Sequence, residues 1–220
     1  MKSILIATPC LYGKVDAYYV NSLCESIKLG LKFDLHLKAI FLANESILPM
    51  ARNELINLAY DQKYESLVFV DDDELWDPMA IISIIQSEKD VVACPVVNKG
   101  DQRIKYNVYY DIDKVKVDPL DGYFTVPKVG TGFLKLSKKA IADLVESSPE
   151  VKFRQRSIKA VFDYGHINGQ FVGEDILLCR KLNELGYKIW INPEYTVYHM
   201  GTKMYTGDFA QSISNWYDKK

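Results

Sequence analysis

The sequence predicts an α/β fold of Rossmann-like type, with a mostly parallel central sheet flanked by helices and a small mixed second sheet. Three observations carry this. Short apolar runs alternate with helical segments through the first hundred residues, the pattern of a parallel sheet covered by helices. One of those runs, Leu67-Val68-Phe69-Val70, stops abruptly at three aspartates. Beyond residue 100 the chain changes character, to β-branched and aromatic runs separated by turn residues.

Taken in order, residues 3–7 form a short first strand. Residues 18–31 form a helix with Tyr19, Val20, Leu23, Ile27 and Leu31 at helical spacing. Residues 35–42 are the second strand, and 50–60 a helix with Leu55, Ile56 and Ala59 on one face. After the third strand, 67–70, Pro78 stands where a first helical turn begins; a helix over 79–87 and a strand over 91–97 follow. Strands over 104–110 and 123–126 flank the turn-forming Asp118-Pro119-Leu120-Asp121-Gly122. Residues 128–137 hold Gly130-Thr131-Gly132 and an apolar alternation, leading into a helix over 138–145. The weakly periodic stretch 150–169 predicts a long loop. A strong helix over 174–185 ends on Gly186 in the C-terminal capping position, before short strands over 188–191 and 195–199.

At 220 residues, 48% hydrophobic and 25% charged, the chain can bury a full core without disulfides or a structural metal. Its net charge of -2 and pI near 6.0 advertise no overall basic field for nucleic acid, although a local groove is compatible with them. No stretch reaches the ~20 apolar residues that span a bilayer, and the first apolar run is too short for a signal peptide. Cys10, Cys24, Cys94 and Cys179 are scattered, without a CxxC pair. Unpaired buried thiols in a reducing compartment are expected, with two disulfides arithmetically possible. The expected location is cytoplasmic, with no membrane span.

Asp71, Asp72 and Asp73 follow the third strand directly. Ligands of open α/β sheets bind beyond the carboxyl ends of strands. Three adjacent carboxylates there call for a positive partner, and a hard cation such as Mn²⁺ or Mg²⁺ with oxygen ligands supplies one. The alternative is a solvated turn, or a helix cap made by Asp73 or Asp77. A second constellation runs GQFVGEDILLCRKLNELGYKIWINPEYTVYHMG. Glu174 and Asp175 open its helix, where the macrodipole favours acids, and His199 ends a short apolar strand.

Together these resemble glycosyltransferases of the GT-A fold, which take sugars from nucleotide-sugar donors. Asp71–Asp73 resembles their DxD signature, with Asp72 in the middle, and the Gly-Glu-Asp helix with its downstream His resembles the catalytic segment of the inverting type. The resemblance runs from about Ile4 to His199. It implies a metal held by Asp71, Asp73 and His199, and Asp175 as the base that deprotonates the acceptor, with Glu174 orienting the site. It implies donor contacts from Thr8, Pro9, Arg52, Asp71, Asp72, Gly132 and Lys203. Arg52 would neutralise a phosphate, an exposed helix arginine being the alternative. It implies one domain over 1–220: a nucleotide-binding half (1–100), an acceptor and catalytic half (101–202) and a tail (203–220). The activity expected is hexosyl or pentosyl transfer from a nucleotide-diphosphate sugar, foremost a UDP-sugar. The acceptor is a glycan, a lipid-linked sugar, a protein or a modified nucleic-acid base. A nucleotidyltransferase acting on sugar phosphates and a non-catalytic nucleotide- or carbohydrate-binding module stay open beside it. Tyr106, Tyr109, Tyr110, Trp190 and Trp216 are able to stack on sugars or bases, or to fill a core.

Overall fold

The structure, a computed structural model, describes residues 1–100, 103–111 and 115–214; Trp216 and the end of the tail lie outside the described residues. The first half alternates as expected: β1 (Lys2–Cys10), α1 (Ala17–Lys32), β2 (Leu35–Ala43), α2 (Leu48–Asp61) and β3 (Ser66–Val70). A short β4 (Glu74–Leu75), α3 (Pro78–Gln86) and β5 (Val91–Ala93) follow. The second half adds β6 (Val108–Tyr109), β7 (Phe124–Val126), β8 (Lys128–Val129), β9 (Phe133–Ser137) and α4 (Lys138–Ser147). Then come β10 (Glu150–Phe153), β11 (Arg156–Lys159), β12 (Gly165–Ile167), β13 (Gln170–Val172) and α5 (Glu174–Glu184). The chain closes with β14 (Ile189–Ile191), β15 (Tyr198–Met200), β16 (Met204–Tyr205) and α6 (Phe209–Ser212).

Seven strands make the central sheet, in the order β2-β1-β3-β9-β5-β14-β7. β1 is parallel to β2 and β3, and β14 is parallel to β5. β9 runs antiparallel between β3 and β5, and β7 antiparallel to β14. Because strand side chains alternate with period two, the sheet sorts its residues onto two apolar layers. Leu5, Ala7, Leu67 and Phe69 face α2, α4 and α5, whereas Ile4, Ile6, Val68 and Val70 face α1 and α3. Both faces are covered, so these strands read as unbroken apolar runs. The fold class expected from the sequence is the one observed. The small second sheet, β16-β15-β4, is antiparallel throughout.

β9 is latched to the turn before β5. Buried Lys135 donates to the carbonyls of Ser87 and Lys89 at 3.1 and 2.6 Å, and burial pushes its ammonium down to about 8. Pro78 does open α3, and the residue capping it is Asp77, whose Oδ1 accepts from the Met79 N–H at 2.8 Å. Gly186, at φ 84°, follows α5 as expected.

Several local expectations are corrected. The stretch 150–169 is no loop: β10 pairs with β11, and β12 with β13. The second hairpin turns on Asn168 and Gly169, at φ 51° and 76°, an Asn-Gly pair suited to a two-residue turn with both residues left-handed. The strand over 91–97 stops at Ala93, since Pro95 has no N–H to continue the ladder; Val96 and Val97 make single bridges only. The strand over 104–110 shrinks to Val108–Tyr109, and within 128–137 the apolar alternation after Gly130-Thr131-Gly132 forms β9. On α1, Val20 and Leu31 face outward at 41% and 57% exposure. The buried face is instead Tyr19, Ser22, Leu23, Ser26 and Gly30, because Ser22 and Ser26 accept hydrogen bonds from the backbone and indole N–H of Trp76. All four cysteines are unpaired, and Cys24 is exposed rather than buried.

Candidate active site

β1 and β3 run side by side in the same direction, so the chain leaves both at one edge of the sheet. There the aspartate triplet is pinned by three other segments. The Asp71 N–H donates to the Gly132 carbonyl at 3.1 Å, the Asp72 carbonyl accepts from Asp16 at 3.0 Å, and the Asp73 carbonyl accepts from Met200 at 2.7 Å. A cavity of about 290 Å³ opens over it, lined by Pro9, Leu11, Glu45, Asp71, Asp72, Asp73, Lys99 and His199 among others.

Each acid meets a different partner. Asp71 Oδ1 accepts from Nη2 of Arg52 at 2.9 Å, and Nη1 of the same guanidinium lies 3.4 Å from Glu174 Oε1. Arg52 is 2% exposed, so this one side chain bridges the end of β3 to the start of α5. It also lies over the Phe69 ring. Asp73 accepts from Lys99 and sits 3.1 Å from His199 Nε2. Burial opposes its charge, but hydrogen bonds from His199 and Lys99 hold the Asp73 carboxyl below the usual range. Asp72 forms no ion pair among the described residues; burial, then the charges of Asp73 and Asp71, push it up to about 6 although the Lys99 charge pulls the other way. Burial likewise raises Glu174, with Arg52 pulling the other way.

His199 arrives through strand pairing, since β15 sets it opposite Glu74 on β4. Its Nδ1 lies 2.9 Å from the Val97 carbonyl. A carbonyl only accepts, so the proton is assigned to Nδ1 and Nε2 faces the Asp73 carboxylate. With a proton on Nε2 as well, the ring donates to Asp73; without it two acceptors face each other, and a cation would be needed between them. A backbone carbonyl behind the ring is also how metal-binding histidines are oriented. Among the described residues, however, no group of three or more His, Cys, Asp or Glu side chains is gathered to hold a metal ion. Asp71 is turned to Arg52, leaving Asp73 and His199 as the adjacent pair. That pair fits a hard divalent ion that takes its remaining ligands from phosphate and water.

The other expected residues divide. Pro9 lines the cavity, but Thr8 is buried with its hydroxyl 2.6 Å from Tyr19 OH. Gly132 is wedged between acids: a Cβ there would lie 2.3 Å from Glu74 Oε1 and 3.1 Å from Asp71 Oδ2. Asp175 sits one residue beyond Glu174, its Oδ1 accepting from the Ile176 N–H at 2.7 Å. Lys203 lines a neighbouring cavity of about 360 Å³, with Asn98, Gly100 and Arg103. The loop 97–100 runs between the two spaces, since Lys99 faces the first.

Sequence reasoning gave no role to four contributors. Lys99 follows the end of β5, at the same sheet edge as the triplet, and strand-end position alone could have flagged it. Glu74 is fully buried with neither oxygen hydrogen-bonded; nothing in its sequence context distinguishes it from the triplet it extends. Asn53 and Asn57, one turn apart on α2, grip the backbone of Phe162 and Lys159 through their amides. They thereby tie the hairpin region ahead of α5 to the helix that carries Arg52.

No protein-family model matches the chain, and no curated protein matches it in sequence. Among solved structures it is similar to A197 from STIV, with TM-score 0.56 and 16% identity over 91% of this chain and 86% of that one. This likeness shows the fold alone. GalNAc-T7, solved with UDP, GalNAc and Mn2+, gives 0.45 at 12% identity over 100% of this chain and 48% of that one. S. aureus TarS gives 0.47 at 15% identity over 89% and 60%. The chain thus spans about half to three fifths of the last two.

Proposed function

We propose that the chain is a glycosyltransferase of GT-A type that moves a sugar from a nucleotide-diphosphate donor to an acceptor hydroxyl, with inversion. The observation that carries this is Arg52. It joins the carboxylate ending β3 to the carboxylate opening α5, beside a cavity at the edge where such sheets bind nucleotides. That contact supports reading the two constellations as one site.

In this reading the donor diphosphate enters the cavity against Pro9 and the triplet, with Lys99 as its cationic wall and Lys203 and Gly132 on the donor side. Asp73 and His199 would hold Mn²⁺ or Mg²⁺, which when bound offsets charge on the departing nucleoside diphosphate. Arg52 serves as a positioning residue: it is too enclosed to reach a phosphate, and it holds Asp71 and Glu174 in register. Thr8 braces the end of β1 through Tyr19. Asp175 takes the acceptor proton while that oxygen attacks the anomeric carbon and the bond to the diphosphate breaks.

Calorimetric titration with UDP-, GDP-, TDP- and CMP-sugars, with and without Mn²⁺, tests this together with slow donor hydrolysis. One donor is expected to bind in a metal-dependent manner, and Asp73→Ala to abolish that binding. No donor binding under either condition overturns the proposal. Pyrophosphate release from a nucleoside triphosphate and a sugar phosphate would establish the nucleotidyltransferase reading in its place.

A further inference from the structure

The β12–β13 hairpin is built the wrong way round for stability. Its strands pair His166 with Phe171, and period-two alternation sets Tyr164 on the same face. The rings touch: Tyr164 and Phe171 lie 5.7 Å apart, tilted by 37°, and His166 meets Phe171 edge-on at 5.7 Å. Yet this aromatic face is the outward one, with Phe171 65% and Tyr164 42% exposed. The opposite face packs inward, Gly165 standing against Leu177 of α5. The hairpin leads through Gly173 directly into Glu174 and Asp175, and burial, then the charge of Glu174, pushes the Tyr164 phenol up while Arg52 pulls the other way.

We propose that Tyr164, His166 and Phe171 form an acceptor platform that takes a neutral saccharide; the acceptor role rests on the transferase reading. A pyranose presents an apolar C–H face rimmed by hydroxyls. The platform matches it with the exposed ring surfaces of Phe171 and Tyr164 and with the polar tips of Tyr164 and His166. Residues 164–172 contain no Lys, Arg, Asp or Glu, whereas a nucleic acid or an anionic membrane surface needs cations at the contact. A sugar lying on this face is adjacent to the acids that open α5, one of which is the assigned base.

The test uses the full chain without donor. Maltotriose, cellotriose, chitotriose and mannotriose are titrated while backbone amide resonances are followed. At least one is expected to shift the amides of 164–172, with affinity falling about tenfold or more in Phe171→Ala and Tyr164→Ala and retained in Phe171→Trp. Phe171 is exposed, so its loss leaves the core intact, and thermal unfolding checks this. Absence of binding by all four, or binding unchanged in both alanine variants, overturns the platform. So does a wild-type dimer by sedimentation that Phe171→Ala dissolves, because the face would then join two copies. Parallel donor titration separates the two proposals. Saccharide binding without donor binding keeps the platform and sinks the transferase; donor binding without saccharide binding does the reverse.

Discussion

Replacing Arg52 with methionine preserves a long apolar side chain and removes the charge between Asp71 and Glu174. Breaking a buried pair by deleting one partner costs about 3–5 kcal/mol, since the other charge is left uncompensated. Here two carboxylates are left, one of them on the largely buried Glu174. For a domain of this size that corresponds to a fall in Tm of about 6–20 °C. The loss should depend on pH in a definite sense. Burial already raises the Glu174 carboxyl, and without the guanidinium that pulls it down it rises further in the folded state, so the variant takes up a proton on folding. Its deficit is greatest near neutrality and shrinks as pH falls through the carboxylate range. Urea unfolding of wild type, Arg52→Met, Glu174→Gln and the double variant, at pH 5 and pH 7.5 with chelator present, measures the loss and the coupling. The pair should couple by roughly 0.5–3 kcal/mol. A deficit below about 1 kcal/mol, the worth of an ordinary surface ion pair, or one that does not shrink in acid, would refute the bridge.

Gly132→Ala places a methyl 2.3 Å from Glu74 Oε1 and should cost about 1–3 kcal/mol by overpacking; adding Glu74→Ala should recover part of it in the same unfolding assay. Burial, reinforced by Asp71 and Asp73, holds the Glu74 carboxyl well above its ordinary range. It keeps a proton that the unfolded chain releases, and the resulting stability is lost as pH rises. Glu74→Gln should therefore gain on wild type between pH 5 and pH 8, and an equal difference at both values would disprove this. Asp175→Asn should leave donor affinity intact and slow transfer by about 10²–10⁴-fold; retained transfer removes Asp175 as the base.

What was legible in the sequence was local. The triplet had to end a buried strand, Pro78 had to open a helix and Gly186 had to close one, because each depends on neighbours a few residues away. What escaped depended on residues far apart. Arg52 looks like any helix arginine until β3 and α5 are brought to either side of it. The outward turn of Val20 and Leu31 follows from Trp76, which occupies the serine face of α1. The Asn168-Gly169 turn was visible in principle. It went unread because its strands show no apolar alternation toward a core, their aromatic face being turned to solvent. His199 was legible as a candidate only through resemblance; its approach to Asp73 depends on the pairing of β15 with β4.

The position of β9 bears on how the chain comes together in time. β3 and β5 do not pair with each other; the strand between them is Phe133–Ser137, which leaves the ribosome well after both. Until it arrives, the nascent sheet holds two unsatisfied strand edges facing one slot, and such edges invite pairing with other chains. Closing the slot also seats Lys135 on the carbonyls of Ser87 and Lys89 and brings Gly132 against Asp71. Completing the sheet and assembling the acidic edge are therefore expected to be a single late event, readable as simultaneous amide protection of β3, β5 and β9 during refolding.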